Sequence, residues 1–192
     1  MSRRDQIKMS EAEVAAFLEE ERTMTCATIG PRGWPHLMPL WYVARKPDPS
    51  APAPRAPAEP GAPAEPGAAA QPGTPVAFPR IWAWTYASSQ KVRNLERDPR
   101  ATLQVEAGEQ YQELRGVMLE CEVLIHRKVE IVSDLGQEIF RRYAVARGEP
   151  PVDALAPEVA AMVDKQAGKR VALEFVEGRR ATWDHRKLAG VY

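Results

Sequence analysis

The 192-residue sequence predicts a single, mainly β domain with flanking helices, and three observations carry that prediction. Segments that alternate apolar and polar residues with a period of two outnumber those with helical periodicity. Successive alternating segments are joined by short turns, as antiparallel hairpins require. No strand–helix repeat opens on a glycine-rich turn, so a doubly wound nucleotide-binding sheet is disfavoured.

The elements follow in order. Ser10-Glu-Ala-Glu13 is a capping box that starts a helix burying Val14, Phe17 and Leu18. A strand with Ala27 and Ile29 alternating with Cys26 and Thr28 reaches the turn Gly30-Pro-Arg-Gly33, and a second strand follows with Leu37, Trp41 and Val43 on one face. Between 47 and 79 the composition changes to Pro, Ala, Gly and Glu, with Ala-Pro-Ala-Glu-Pro-Gly twice in succession from Ala56. So few large apolar groups cannot offset the entropy of ordering, so this stretch reads as a disordered insertion between the second and third strands, looping out of an intact domain. A third strand covers Trp82 to Tyr86, and Ser88-Ser89 caps a short helix that Pro99 stops. Ala101, Leu103 and Val105 mark the next strand, and Leu114 to Ile125 the longest one, with Glu120 and Glu122 on its wet side. Ser133 caps a helix bearing Leu135, Ile139, Phe140 and Tyr143, closed by Gly148 and Pro150-Pro151. A further helix runs from Pro157 to Gly168. Val171, Leu173 and Phe175 form a strand that turns at Glu177-Gly178, and Ala181 to Trp183 begins the last one.

Lys and Arg number 26, as do Asp and Glu, so no net charge draws the chain to nucleic acid or anionic lipid. No run of about 18 apolar residues is present, and the expectation is a cytoplasmic protein without membrane or nucleic-acid partners. Cys26 and Cys121 sit among apolar neighbours in strands, and His36, His126 and His185 have no metal-ligand spacing, so no metal site is expected. No Ser/His/Asp or Cys/His grouping surrounds a sharp glycine-rich turn, and no catalytic nucleophile is assigned. The informative stretch is the helix at Ser88-Ser89. A helix start offers unpaired N–H groups and partial positive charge to an anion, and Lys91 and Asn94, three apart, share one face.

Together these segments resemble the flavin-binding split-barrel superfamily, which includes pyridoxamine 5'-phosphate oxidases and deazaflavin-dependent reductases. The resemblance lies in the order of Ala27 to Gly30, Gly33 to Tyr42, Ser89 to Arg100 and Tyr111 to Val117, and in the ending Thr182-Trp-Asp-His-Arg-Lys-Leu188. It spans roughly residues 8 to 190 apart from the insertion. It implies an FMN-binding split β-barrel that works as a homodimer, with cofactor sites at the interface because the barrel is too narrow to hold a flavin. By matching position, Ser88, Ser89, Lys91 and Asn94 would hold the cofactor's phosphate and nearby tail. His36, Pro39 and Trp41 would lie along the tricyclic ring, and Thr85 would meet it through backbone groups. Tyr111, Trp183 and Arg186 would come from the partner subunit.

The chemistry the resemblance implies is hydride transfer, in which the protein orients a cofactor and a small-molecule substrate. His36 is the one nearby candidate for proton delivery. The Pro-His-x-x-Pro-x-Trp strand and the Trp-Asp-His-Arg-Lys-Leu ending look more like the deazaflavin (coenzyme F-420) branch than the FMN oxidases. The expected activity is reduction of a conjugated carbonyl, quinone or tetrapyrrole. The alternatives are an FMN-dependent oxidase or reductase and a non-catalytic flavin-, deazaflavin- or haem-binding protein.

Overall fold

A computed structural model describes residues 2–46, 79–146 and 155–188. The expected insertion, up to residue 78, and the helix end at Gly148 and Pro150-Pro151 lie outside the described residues. Helices α1 (Arg3–Gln6) and α2 (Glu11–Glu20) lead the chain, and Ser10 and Glu13 form the expected capping box. Seven strands then build one antiparallel sheet: β1 (Thr23–Ile29), β2 (Pro35–Trp41), β3 (Val43–Arg45), β4 (Arg80–Tyr86), β5 (Arg100–Ala107), β6 (Arg115–His126) and β7 (Arg170–Asp184). Helix α3 (Gln90–Arg97) joins β4 to β5, while α4 (Val129–Ala146) and α5 (Pro157–Ala167) separate β6 from β7. Among the described residues no helix is long and apolar enough to cross a membrane.

The order across the sheet is β2-β1-β5-β6-β7-β4-β3, so β2 and β3 are its two edges. Only Tyr42 separates them in the chain. An open sheet cannot have its two edges one residue apart, so the sheet must roll until they meet. The sequence pattern had joined Trp41 and Val43 in one strand face. Tyr42 breaks that strand because its backbone N–H is donated to Tyr143 Oη (3.1 Å) and its own hydroxyl to the carbonyls of Leu18 (2.8 Å) and Glu21 (2.9 Å).

Rolling creates two cores. Inside, Met24, Cys26, Leu103, Leu119, Leu173 and Phe175 pack against Val14, Phe17 and Leu18 of α2 and Val92 and Leu95 of α3. Outside, Val43, Trp84 and Ala172 pack against Val132, Leu135, Ile139 and Tyr143 of α4 and Val163 and Ala167 of α5. The first half of strand β7 is therefore buried on both faces, with every residue from Val171 to Val176 buried. Gly136 in α4 lets the helix lie against the ring of Trp84, since a Cβ there would fall 2.6 Å from it. At the β1–β2 tip Gly33 takes φ 80°, the left-handed region that glycine tolerates.

Two boundaries differ from the sequence reading. Residues 177–178 do not turn the chain: β7 continues for 15 residues, and Gly178 is the extra residue of a bulge, because Glu120 pairs with Arg179 while Cys121 pairs with Glu177. That makes β7, rather than the 12-residue β6, the longest strand. Helix α4 begins at Val129 instead of at Ser133, whose hydroxyl donates to the Asp164 carboxylate of α5. Tyr143→Phe should lower the unfolding free energy by about 1–3 kcal/mol in urea denaturation, since it strips a buried N–H of its acceptor. Arg45 and Arg80, flanking the insertion, are cross-strand neighbours. Replacing residues 47–78 by a short turn should therefore leave the melting temperature within a few degrees of the full chain, as followed by circular dichroism.

Candidate functional site

Helix α3 begins at Ser89, which holds the extended N-cap conformation (φ −68°, ψ 153°). The expected side-chain cap does not form. Ser89 Oγ is buried and bonds to nothing among the described residues, while Ser88 is exposed. Lys91 points into the barrel, 7% exposed, and its Nζ donates to Thr85 Oγ1 at 3.0 Å. Among the described residues no carboxylate pairs with it. Burial holds its pKa below the ordinary lysine value and outweighs the opposing effect of the Cys26 sulfur. Cys26 is itself pushed up to about 12 by burial, so it stays a thiol and supplies no nucleophile.

The polar strip continues across the barrel. Asn94, fully buried, donates from Nδ2 to Thr28 Oγ1 (3.0 Å) and accepts from Gln90 Nε2 (2.9 Å), so both its amide ends are used within the protein. Thr28 is paired with His36 on β2. His36 therefore faces the same side, where its Nδ1 is buried without a partner. A buried ammonium held by one hydroxyl, an unpartnered serine hydroxyl and a helix N-terminus fit an anion such as a phosphate.

Strand alternation places Pro39 and Trp41 on the opposite face from His36, so the three residues expected along one ring do not share a surface. Pro39 and Trp41 instead line a cavity of about 360 Å³ with Trp84, Phe140, Met162, Gln166 and Arg170. Its walls are ordered by ring contacts: Trp41 stacks on Tyr143 (4.1 Å) and Trp84 meets Phe140 edge-on (6.1 Å). Thr85 and Trp84 are neighbours on β4, so the anion cradle and this cavity lie back to back on one strand. A larger cavity of about 540 Å³ follows the cross-strand row Ala27, Thr102, Glu120 and Arg179. Its Glu120 and Arg179 pair with each other at 3.9 Å and none of its lining atoms is buried and unpartnered, so chemistry favours the smaller one.

Tyr111, Trp183 and Arg186 gather elsewhere. The ring of Tyr111 lies 4.7 Å from that of His185, Trp183 covers Gly116, and Arg186 is held by both oxygens of Asp184 (2.8 and 2.6 Å). That ion pair keeps the Asp184 carboxyl below its usual range. Trp183 stands at the far end of β7 from Arg170, so within one protomer this cluster is remote from the cavity. Gln166 and Arg170 were not among the sequence candidates. The nearest local signal is the alternation of Trp84 and Tyr86, which puts two rings on one face but does not say what faces them.

No family model matches the sequence, and no curated protein does. Among solved structures, the FAD-binding protein mll6688 from Mesorhizobium loti is 12% identical over 91% of this chain and 94% of its own, with a TM-score of 0.51. HutZ, the haem storage protein from Vibrio cholerae, is 12% identical over 91% of this chain and 94% of its own, with a TM-score of 0.52. Both share the fold, a split barrel with flanking helices. The conserved hypothetical protein Rv2991 from Mycobacterium tuberculosis is 34% identical over 100% of this chain and 95% of its own, with a TM-score of 0.71. This chain belongs to the same family as that protein.

Lys91→Met should stabilise the ligand-free protein by on the order of 1 kcal/mol, because it removes a buried charge without an ionic partner. A depressed lysine pKa means the unfolded chain binds more protons, so the penalty is greatest at neutral pH and fades as pH rises through the folded pKa toward the ordinary lysine value. Urea denaturation of both proteins from pH 7 to pH 10 should therefore show the mutant's advantage shrinking.

Proposed function

We propose that this chain is a coenzyme F-420-dependent oxidoreductase that reduces an unsaturated organic substrate such as a conjugated carbonyl, quinone or tetrapyrrole. The observation that carries the reading is the buried Lys91 two residues after Ser89, whose hydroxyl is unpartnered at the start of α3, a cradle without an anion of its own. The bound cofactor would supply a hydride, which with one proton reduces a double bond. The chain's residues bind and orient: Ser89 and Lys91 take the phosphate, and Pro39, Trp41 and Trp84 wall a flat ring away from water. Asn94 fixes α3 to β1 through Thr28 and so sets the position of the cradle. His36 belongs to the polar strip, across the sheet from the aromatic wall, and is not the proton donor in this reading.

The protein acts as a homodimer. Trp34, Leu37 and Met38 of the β1–β2 hairpin are exposed apolar groups on an edge strand, and a second copy would cover them. Its Tyr111, Trp183 and Arg186 would then close the site that one protomer leaves open. FMN is the second reading, favoured by the same cradle, since its phosphate would meet the same groups. Titrating the cofactor-free protein with coenzyme F-420 and with FMN, by cofactor fluorescence, should give tighter binding of the deazaflavin, weakened roughly tenfold or more in Lys91→Met. Reduced F-420 should then be oxidised only when a conjugated substrate is added. Preference for FMN would overturn the cofactor assignment, and unchanged affinity in Lys91→Met would overturn the cradle.

A further inference from the structure

The cavity between β2, β4 and the α4–α5 pair is lined by two residues that each carry a buried polar atom that nothing among the described residues satisfies. Gln166 Oε1 and Arg170 Nε are both buried without hydrogen-bond partners, and both residues line it. Neither is an accident of a loose surface. Arg170 heads β7 in register with Tyr86, and its guanidinium stacks on Trp84 (4.3 Å) and Tyr86 (4.2 Å), so its orientation is fixed from two sides. Among the described residues no carboxylate pairs with it, unlike Arg80 on the same ladder, which bonds to Glu174. Gln166 lies in the last turn of α5, beside Ala167, which anchors that helix in the outer core.

We infer that this cavity binds a flat, fused-ring molecule carrying a carbonyl or carboxylate acceptor beside an N–H or O–H donor on one edge. The acceptor meets Arg170 and the donor meets Gln166, while Trp41, Trp84 and Phe140 enclose the ring faces. A purely apolar ligand would leave both atoms unpaired, and burying unpaired groups costs binding. The volume of about 360 Å³ lies at the lower end of ordinary small-molecule sites, enough for two or three fused rings and no extended chain. The inference stands whichever cofactor the α3 cradle holds. The same edge chemistry has two sources, the head of a cofactor or a separate substrate, and the two are told apart by competition.

The test uses indole-2-carboxylate, a bicyclic acid whose N–H and carboxylate adjoin, with 1-methylindole-2-carboxylate and indole as comparators, in calorimetric titrations of the full chain. Wild type should bind indole-2-carboxylate saturably, one per protomer, and each comparator roughly tenfold more weakly. Gln166→Leu should bring the two acids to within about twofold of each other, and Arg170→Met should weaken both acids while leaving indole unchanged. Equal affinity of the three ligands for wild type, or absence of saturable binding, overturns the inference without recourse to any variant. Wild-type affinity for indole-2-carboxylate in both folded variants overturns it as well. Displacement of the probe by coenzyme F-420 or FMN assigns the cavity to the cofactor's ring, and simultaneous binding assigns it to the substrate.

Discussion

The single-residue passage at Tyr42 is the constraint on which the rest of the molecule depends. It carries the chain from one edge of the sheet to the other, and so forces β2 against the β3–β4 edge. The cavity draws Pro39 and Trp41 from β2 and Trp84 from β4, strands that share no ladder in the sheet. Only closure brings them together. The hydrogen bonds of Tyr42 to α2 and of Tyr143 to Tyr42, with the Arg142 guanidinium 5.0 Å over the Tyr42 ring, hold the passage in place. Burial pushes the Tyr42 hydroxyl's pKa well up, so it remains a donor throughout the physiological range.

Closure in turn makes the β4–β7 ladder two-sided. Thr85 points into the barrel and receives Lys91, whereas Trp84 and Tyr86 point outward and receive Arg170. Adjacent residues of one strand thus serve the anion cradle and the aromatic cavity. At the other end of the outward face, Glu174 is buried but takes bonds from Arg80 and from His126 (2.8 Å), whose ring stacks on Trp82 at 4.9 Å. The same face therefore holds a satisfied charge at one end and an unsatisfied one at the other. Structural economy accounts for the first and not for the second.

What was legible in the sequence was what depends on near neighbours. The period-two patterns of Ala101, Leu103 and Val105 and of Val117 to Val123 are the buried faces of β5 and β6, and Ser10 to Glu13 is a capping box in the structure as in the chain. The start of α3 with Lys91 was equally local. What a local pattern does not encode depends on partners remote in the chain. Tyr42 reads as one more strand residue until Tyr143 and α2 are beside it, and Glu177-Gly178 reads as a turn until β6 supplies a straight partner across the bulge. Gln166 and Arg170 face Trp84 and Tyr86 through a strand register that no local pattern encodes.

Among the described residues, five buried side-chain atoms lack a hydrogen-bond partner: His36 Nδ1, Ser89 Oγ, Arg142 Nε, Gln166 Oε1 and Arg170 Nε. Arg142 is the exception that clarifies the others, because its remaining nitrogens bond to the carbonyls of Leu18, Glu19 and Glu21 and to the Glu19 carboxylate. The other four belong to the polar strip or to the cavity, and Lys91 adds a buried charge without an ionic partner. Each unmet group costs about 1–3 kcal/mol, a sum that a marginally stable domain does not carry at random positions. Their chemistry also divides by place. Donors collect at the α3 cradle, where an anion would complete them, and a donor with an acceptor collects in the cavity, where a flat polar edge would. Because the two sites lie on opposite faces of β4, an anion at the cradle and a flat, polar-edged molecule in the cavity would each satisfy its own set and return to the fold the stability these groups withhold.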